Sequence, residues 1–328
     1  MLSRFFLRDV ESIHNDTQSG AAKIAEKCLN ALKNECFRLK TSLDRTNLKM
    51  AIQLLLDTHP MATIENALIP IFLRLIQLIE PDGIKNGDPK TTIKLLFATR
   101  REQMRIGEFN TIEKLTEVLQ KKRSILTFSH SSTITKSLIK LAKEGFNDKE
   151  IFVLESRPLK EGERTALLLA KSGFKKVYLG IDFALEAFSK QAEVVVLGAD
   201  TIYPNGRVLN KIGSATIAKL FHMKSKEVIV AASPSKICLR TIISSNQEWS
   251  VKIPQRNPKE ISTITAPNLE IWNKYFETIQ PDYISSLIID SHQIFSPISE
   301  QITKFLETNR LIEQIRSFKE IWNDVKFK

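Results

Sequence analysis

Polar and charged side chains follow several short apolar runs in the second part of the sequence. These runs end in Ser129-His130-Ser131-Ser132, Glu155-Ser156-Arg157, Asp182 and Asp200. Hydroxyl, imidazole and guanidinium groups beside carboxylates bind phosphates and sugars and move protons. Such a set could bind and transform a sugar phosphate if the fold brings its members together.

A second candidate group follows the turn at Pro204-Asn205-Gly206. Asn210 and Lys211 stand just before a predicted helix that opens at Gly213-Ser214. The unpaired N–H groups of a helix N-terminus attract anions, and a neighbouring lysine adds positive charge. Taken alone, Lys211 or Arg157 could be an ordinary surface cation or a partner of a structural carboxylate. Together they favour a phosphate site.

The apolar pattern predicts the elements that position these residues. From Lys121 onward, short apolar runs alternate with amphipathic helices, which is typical of a parallel sheet covered on both faces. The runs are SILTFS (124–129), IFVLES (151–156), KVYLG (176–180), VVVLGAD (194–200), VIVAAS (228–233) and ISSLIID (284–290). Ligands of such sheets bind outside the carboxyl ends of the strands, so the candidate residues are predicted to share one crevice.

Residues 1–120 show helical periodicity and no strand pattern. Apolar residues recur every three to four positions from Ala21 to Leu32, and further helices are predicted over 48–56, 63–80, 90–105 and 111–120. We therefore predict an α/β protein with an all-helical domain over 1–120. A doubly wound, mostly parallel sheet domain is predicted over 121–328, with an irregular, proline-interrupted connection at 250–280.

Composition excludes several classes of protein. The 328 residues are 42% hydrophobic and 26% charged, as expected of a globular chain. Charged and proline residues interrupt the most apolar region, 62–79, which favours a buried helix over a membrane span. Asp9 and Glu11 make the N-terminus a poor signal peptide, so a cytoplasmic protein without a membrane partner is expected.

Cofactor and metal signals are weak. Cys28, Cys36 and Cys238 form no CxxC pair, which favours reduced, buried thiols over a disulfide framework or a zinc site. The histidines show no metal-ligand spacing, and the strand ending at Asp200 is followed by no GxGxxG loop. We expect neither a metal nor an organic cofactor.

The net charge of +11 is concentrated in residues 121–328, which hold 31 Lys and Arg against 22 Asp and Glu. This excess indicates an anionic partner. The lysines are scattered and form no stripe with aromatic residues, which argues against nucleic acid. A phosphorylated small molecule or an acidic protein surface fits better.

Two long strings carry a resemblance to a known family. ESRPLKEGERTALLLAKSG (155–173) and VVVLGADTIYPNGRVLNKIGSATIA (194–218) resemble the family that joins the alpha, beta and delta subunits of translation initiation factor 2B to archaeal ribose-1,5-bisphosphate isomerases and methylthioribose-1-phosphate isomerases. Shorter matches are NDTQSGAAKIAEKCLNAL (15–32), HPMATIENAL (59–68) and FETIQPDYISSLIID (276–290).

This resemblance implies a fold and a set of partners. The expected architecture is a helical N-terminal domain docked on a Rossmann-like domain, whose C-terminal part forms dimers or larger homo-oligomers. The implied ligand is a phosphorylated sugar or a nucleotide. A translation initiation factor is a candidate protein partner.

The resemblance also implies residue roles. In the isomerases, a cysteine after the first strand and the aspartate of the GAD motif form the catalytic pair. The aspartate matches Asp200, and the cysteine position reads Ser129. The ligand-binding positions carried over by motif are Ser131, Ser132, Arg157, Asn210 and Lys211. His130 is a candidate sugar contact, and Gly20 and His59 stand at the ligand-binding motifs of the helical part.

Departures from the isomerase pattern guide the functional interpretation. A serine hydroxyl cannot inherit the acid-base role of a thiolate, because its pKa is far higher. Family cations are also replaced, by Ser132, by Ser19 and by His59. The leading interpretation is therefore an initiation factor 2B-like subunit that binds a sugar phosphate or nucleotide in a regulatory role without strong catalysis.

The alternative is a sugar-phosphate aldose-ketose isomerase in which Asp200 transfers protons, assisted by Ser129 or His130. A nucleophilic triad of Ser129, His130 and Asp200 is disfavoured. Adjacent residues on a strand point to opposite faces, so Ser129 and His130 are not expected to face the same way.

Overall fold

A computed structural model describes residues 2–16, 19–39, 44–59, 61–79, 88–239, 253, 255–309 and 311–324. Its α-helices are α1 (Arg4–His14), α2 (Ala21–Leu39), α3 (Arg45–Thr58), α4 (Ala62–Ile79), α5 (Pro89–Gln120), α6 (Ser132–Lys143), α7 (Glu161–Lys171), α8 (Leu185–Gln191), α9 (Ser214–Met223), α10 (Ile298–Thr308) and α11 (Leu311–Asp324). Its strands are β1 (Ser124–Phe128), β2 (Glu150–Leu154), β3 (Lys176–Gly180), β4 (Val194–Leu197), β5 (Thr201–Ile202), β6 (Val208–Lys211), β7 (Glu227–Ala231), β8 (Phe276–Ile279), β9 (Ser286–Ile289) and β10 (His292–Phe295).

The chain divides into two compact units. The helical unit takes its described residues from Met1–Ile106, Ser235–Gln247 and Lys304–Lys328. The sheet unit takes its described residues from Gly107–Pro234 and Glu248–Thr303. The division at residue 120 inferred from the sequence stays a prediction.

A seven-stranded sheet forms the centre of the sheet unit, in the order β10-β9-β7-β4-β1-β2-β3. All pairs are parallel except β9 with β10. Strands β1 and β4 are buried along their whole length, because helices cover both faces of a parallel sheet. The predicted α/β class and the six predicted strand positions are confirmed.

A small antiparallel sheet, β5-β6-β8, was not predicted from the sequence. Strand β5 has two residues and β6 carries two polar residues in four, so neither shows an apolar run. Strand β8 lies within the connection predicted to be irregular, and that prediction is wrong for residues 276–279. Residues 240–252 and 254 of the same connection lie outside the described residues.

The helical unit is built around α4, which packs against α2, α3 and α11. Phe72 of α4 contacts Phe318 and Trp322 of α11, with ring centroids 5.5 and 5.3 Å away. Helix α4 is long and apolar enough to cross a membrane, but 67% of it is buried within the structure. The prediction of a buried helix is confirmed, and the apolar length is weak evidence for a membrane span.

The three cysteines also lie in the helical unit, where all are free and buried. Burial raises the pKa of Cys28 and that of Cys36 to about 12, because the thiolate would lose its hydration. The prediction of reduced, buried thiols is confirmed, and neither of these two thiols forms a thiolate near neutral pH.

Gly162, the second residue of α7, fixes how closely this helix approaches β2. A Cβ atom there would lie 1.9 Å from the carbonyl oxygen of Leu154. Because both partners are backbone, Gly162→Ala is expected to lower the free energy of unfolding by about 3 kcal/mol or more, as severe overpacking does. Urea unfolding measures this loss.

Gly145→Ala is the matched control. Gly145 has a left-handed φ of +93°, and no atom lies within 4 Å of the place that a Cβ would take on this residue. Left-handed strain alone costs about 1 kcal/mol. Equal losses of unfolding free energy in the two variants would show that Gly162 of α7 does not pack tightly against β2.

Candidate functional site

Ser129 directly follows β1 and has a left-handed backbone, at a φ of 66°. Its N–H donates to Ser156 Oγ at 2.8 Å. Ser156 is fully buried, follows β2 with a φ of 67°, and donates its hydroxyl to the carbonyl of Leu154. These bonds fasten the carboxyl ends of β1 and β2 to each other.

Glu161 joins two of the predicted site residues. Its Oε1 accepts a hydrogen bond from Ser129 Oγ at 3.0 Å and lies 2.8 Å from Lys211 Nζ. Lys211 is only 4% exposed, and its ammonium also lies 4.9 Å from the ring centroid of Tyr275. A buried lysine needs such a carboxylate and aromatic face, because desolvation otherwise opposes its charge.

His130 contacts the same helix as Ser129. Its Nδ1 lies 2.9 Å from Thr165 Oγ1, one turn along α7 from Glu161. The left-handed backbone of Ser129 interrupts the alternation of the strand, and both side chains contact α7. That Ser129 and His130 do not face each other as members of a triad stays a prediction. Burial and, secondarily, the charge of Arg164 lower the pKa of His130 below its usual value.

Ser131 and Ser132 begin α6. Ser131 Oγ caps the helix by accepting a hydrogen bond from the N–H of Ile134, whereas Ser132 is exposed. Gly198 lies against this cap, since a Cβ on it would be 3.0 Å from Ser131 Cβ. The glycine of the GAD motif thus brings the end of β4 to the N-terminus of α6.

Asp200 directly precedes β5, and Asn210 lies on β6, the strand that pairs with β5. Thr201 pairs with Leu209, and the N–H of Asp200 donates to the carbonyl of Leu209 at 2.9 Å. Asp200 is partly buried, whereas Asn210 is buried and donates its amide to Ser214 Oγ. Because β4 is the neighbour of β1 in the sheet, the hairpin begins beside the strand end that carries Ser129.

A carboxylate occupies the N-terminus of α9. Glu277 Oε1 accepts hydrogen bonds from the N–H groups of Gly213 and Ala215 at 2.7 and 2.8 Å. From the sequence, these groups were expected to help bind a phosphate beside Lys211. They are already satisfied, so a phosphate there would depend on side chains.

Arg157 follows β2, and its side chain is exposed. Its backbone N–H donates to Asp182 Oδ2, and the N–H of Ser156 donates to Oδ1 of the same carboxylate, both at 2.8 Å. Asp182 therefore holds the loop after β2 in place, and the guanidinium is carried on a braced backbone.

Gly20 and His59 belong to the helical unit. The carbonyl of Gly20 accepts the N–H groups of Lys23 and Ile24 at the start of α2. His59 Nε2 lies 2.8 Å from the carbonyl of Ile13. Their role in ligand binding stays a prediction, as does that of every other site residue named from the sequence.

Comparison with known proteins decides the family. Residues 17–291 match the sequence model described as the initiation factor 2 subunit family. The chain belongs to this family. Within it, the chain is 28% identical over 292 residues to a protein of Thermococcus kodakarensis named ribose 1,5-bisphosphate isomerase, covering 87% of this chain and 89% of the relative.

A second relative, from Desulforudis audaxviator, is named methylthioribose-1-phosphate isomerase. It is 24% identical over 292 residues, with 83% of this chain and 81% of the relative covered. The solved structure of Pyrococcus horikoshii translation initiation factor eIF-2B matches with a TM-score of 0.72 and 21% identity, covering 90% of this chain and 98% of that one. This likeness supports the fold.

Four residues of this family member were missed by sequence reasoning: Glu161, Thr165, Tyr275 and Glu277. Glu161 and Thr165 are four residues apart in α7, and this spacing was the available signal. Tyr275 and Glu277 gave none, because they reach the site only through pairing of β8 with β6. Burial and a hydrogen bond to Glu260 raise the pKa of Tyr275.

Proposed function

We propose that this family member is a sugar-phosphate aldose-ketose isomerase. The observation that carries the proposal is the buried Lys211, held by Glu161 together with Ser129 at the carboxyl edge of the sheet. Asp200 begins the hairpin beside them. The names of the two isomerase relatives support the same reaction class.

The reaction requires both an acid and a base. In a sugar 1-phosphate, carbon C1 carries the phosphate and the ring oxygen. To form the ketose, the bond from C1 to the ring oxygen breaks, and that oxygen gains a proton. The C2 hydroxyl loses its proton and becomes a carbonyl, while the hydrogen on C2 moves to C1 with its electron pair. Asp200 is the proposed proton donor to the ring oxygen.

Substrate phosphate is proposed to bind to Lys211 and to the hydroxyls of Ser131 and Ser132, with Arg157 as an exposed cation nearby. Arginine and lysine form charge-assisted hydrogen bonds with phosphate. Asn210 is proposed to fix a sugar hydroxyl. Because Glu277 fills the N-terminus of α9, Lys211 carries more of the phosphate binding than the sequence suggested.

A second candidate is a regulatory subunit that binds a sugar phosphate or nucleotide without converting it. Ser129 at the position of the isomerase cysteine favours this reading, since a hydroxyl cannot act as a thiolate does. Assembly as a homo-oligomer and contact with a translation initiation factor are proposals under this function.

The deciding experiment incubates the purified protein with ribose 1,5-bisphosphate and, separately, with methylthioribose 1-phosphate. Phosphorus NMR is expected to show new ketose phosphate signals with at least one substrate. Line broadening without conversion would overturn the isomerase and support the regulatory subunit. Neither conversion nor broadening would contradict both candidates for these sugars.

A further inference from the structure

The proposed isomerisation needs a base, and position 129 carries no thiol that could serve as one. The contacts of His130 indicate a candidate. Thr165 Oγ1 lies 2.9 Å from His130 Nδ1 and donates to the carbonyl oxygen of Ser129 at 3.1 Å. A threonine hydroxyl has one proton, and a carbonyl oxygen can only accept. Thr165 Oγ1 also lies 3.5 Å from the carbonyl oxygen of Glu161, so two carbonyl acceptors compete for its one proton. When the hydroxyl donates to either carbonyl, its oxygen accepts a hydrogen bond from Nδ1–H of His130.

This arrangement favours the neutral imidazole with its proton on Nδ1. With the proton on Nδ1, the lone pair lies on Nε2. A nitrogen with a free lone pair is a base, and the backbone of Ser129, itself fastened to Ser156, holds the whole group in place. The His130 side chain is partly exposed.

The charge of the imidazole is set by groups on α7. Burial is the largest cause that lowers the pKa of His130, and the positive charge of Arg164 lowers it further. The carboxylate of Glu161 opposes them. The pKa therefore lies below that of an ordinary histidine, which favours the neutral imidazole that can accept a proton.

We infer that His130 is the catalytic base, taking through Nε2 the proton of the substrate C2 hydroxyl, an inference that rests on the proposed isomerase function. The electron pair of that O–H bond forms the C2 carbonyl, the hydrogen on C2 moves to C1 with its own pair, and the ring oxygen leaves C1 and takes a proton from Asp200. Solvent then returns the proton from His130 to Asp200. No proton is gained or lost overall, and Thr165 is a positioning residue.

His130→Gln tests the inference in the wild-type background. We expect kcat to fall by about 100-fold to 10,000-fold, the usual contribution of general acid-base catalysis. The wild-type rate should decline as the pH is lowered through the depressed pKa of His130, because the protonated imidazole cannot act as a base. The residual rate of the variant should lack this decline.

Thr165→Val removes only the hydroxyl that holds Nδ1. We expect kcat to fall by about tenfold, the equivalent of one hydrogen bond, with KM little changed. Thr165→Ser should restore the rate. Nitrogen-15 NMR of the imidazole should report Nδ1–H in the wild type and a mixture of tautomers in Thr165→Val, a result independent of turnover.

His222→Gln is the matched control, because this histidine is exposed on α9 and contacts the ring of Tyr283. It should leave both the rate and its pH profile unchanged. An active wild type with an unaltered His130→Gln rate, or an Nε2–H tautomer, would overturn the base alone. An inactive wild type would remove the proposed function and the base with it.

Discussion

The Asp200→Asn protein is expected to fold as the wild type does and to lose about 100-fold to 10,000-fold in kcat on the sugar phosphate that the wild type converts. Asparagine keeps the size of the side chain and one acceptor oxygen but cannot deliver a proton to the ring oxygen. The backbone N–H of Asp200, which anchors the hairpin at Leu209, is unaffected by the change. Turnover followed by phosphorus NMR measures the loss.

Asp148→Asn is the control for this substitution. Asp148 is exposed and lies just before β2, at the opposite edge of the sheet from the strand ends that carry the site. Its replacement should leave kcat unchanged. Circular dichroism and urea unfolding establish that Asp200→Asn is folded. A folded Asp200→Asn protein with wild-type turnover would remove Asp200 from the mechanism.

Lys211→Met is expected to have the second large effect, on stability and on ligand binding together. The change leaves the Glu161 carboxylate, which is 23% exposed, without its cation. Removing one partner of a buried ion pair lowers the free energy of unfolding by about 3 kcal/mol when water partly reaches the other partner. Methionine keeps most of the apolar stem that packs near Tyr275. Urea unfolding measures the loss, and phosphorus NMR should show that phosphate binding is lost.

The double variant Lys211→Met/Glu161→Gln separates the two effects. Replacing the carboxylate removes the uncompensated charge, so most of the lost stability should return. Phosphate binding should not return, because the cation is still absent. Strictly additive losses of stability would mean that the two side chains do not interact, and retained phosphate binding would show that Lys211 is not a ligand residue.

Sequence patterns were sufficient for the central sheet. The buried runs of β1, β2 and β4 are nearly continuous in apolar residues, and their alternation with amphipathic helices has few solutions other than a parallel sheet. The motif resemblance likewise led to the correct family. One of the motif glycines is required by its backbone angle and by the packing around it. Gly213 has a φ of +103°, and a Cβ on it would lie 3.0 Å from the ring of Phe128.

The small antiparallel sheet could not be read from local pattern. Strands β6 and β8 pair although more than sixty residues separate them in the chain. In the sequence of β8, polar and apolar residues alternate too weakly to predict a strand. The occupation of the α9 N-terminus by Glu277 follows from this pairing. No property of residues 211–215 indicates that a distant carboxylate satisfies their N–H groups.

By itself, the sequence determined the fold class and the strand ends where polar residues collect, and it places a serine at position 129, where the family resemblance implies a cysteine. Only the tertiary structure decided that Ser129 and His130 both contact α7, and that Glu161 joins Ser129 to Lys211. Periodicity reports which face of an element is buried. The partner of a polar side chain depends on contacts between elements far apart in the chain and on single backbone angles such as that of Ser129, and neither leaves a periodic signal.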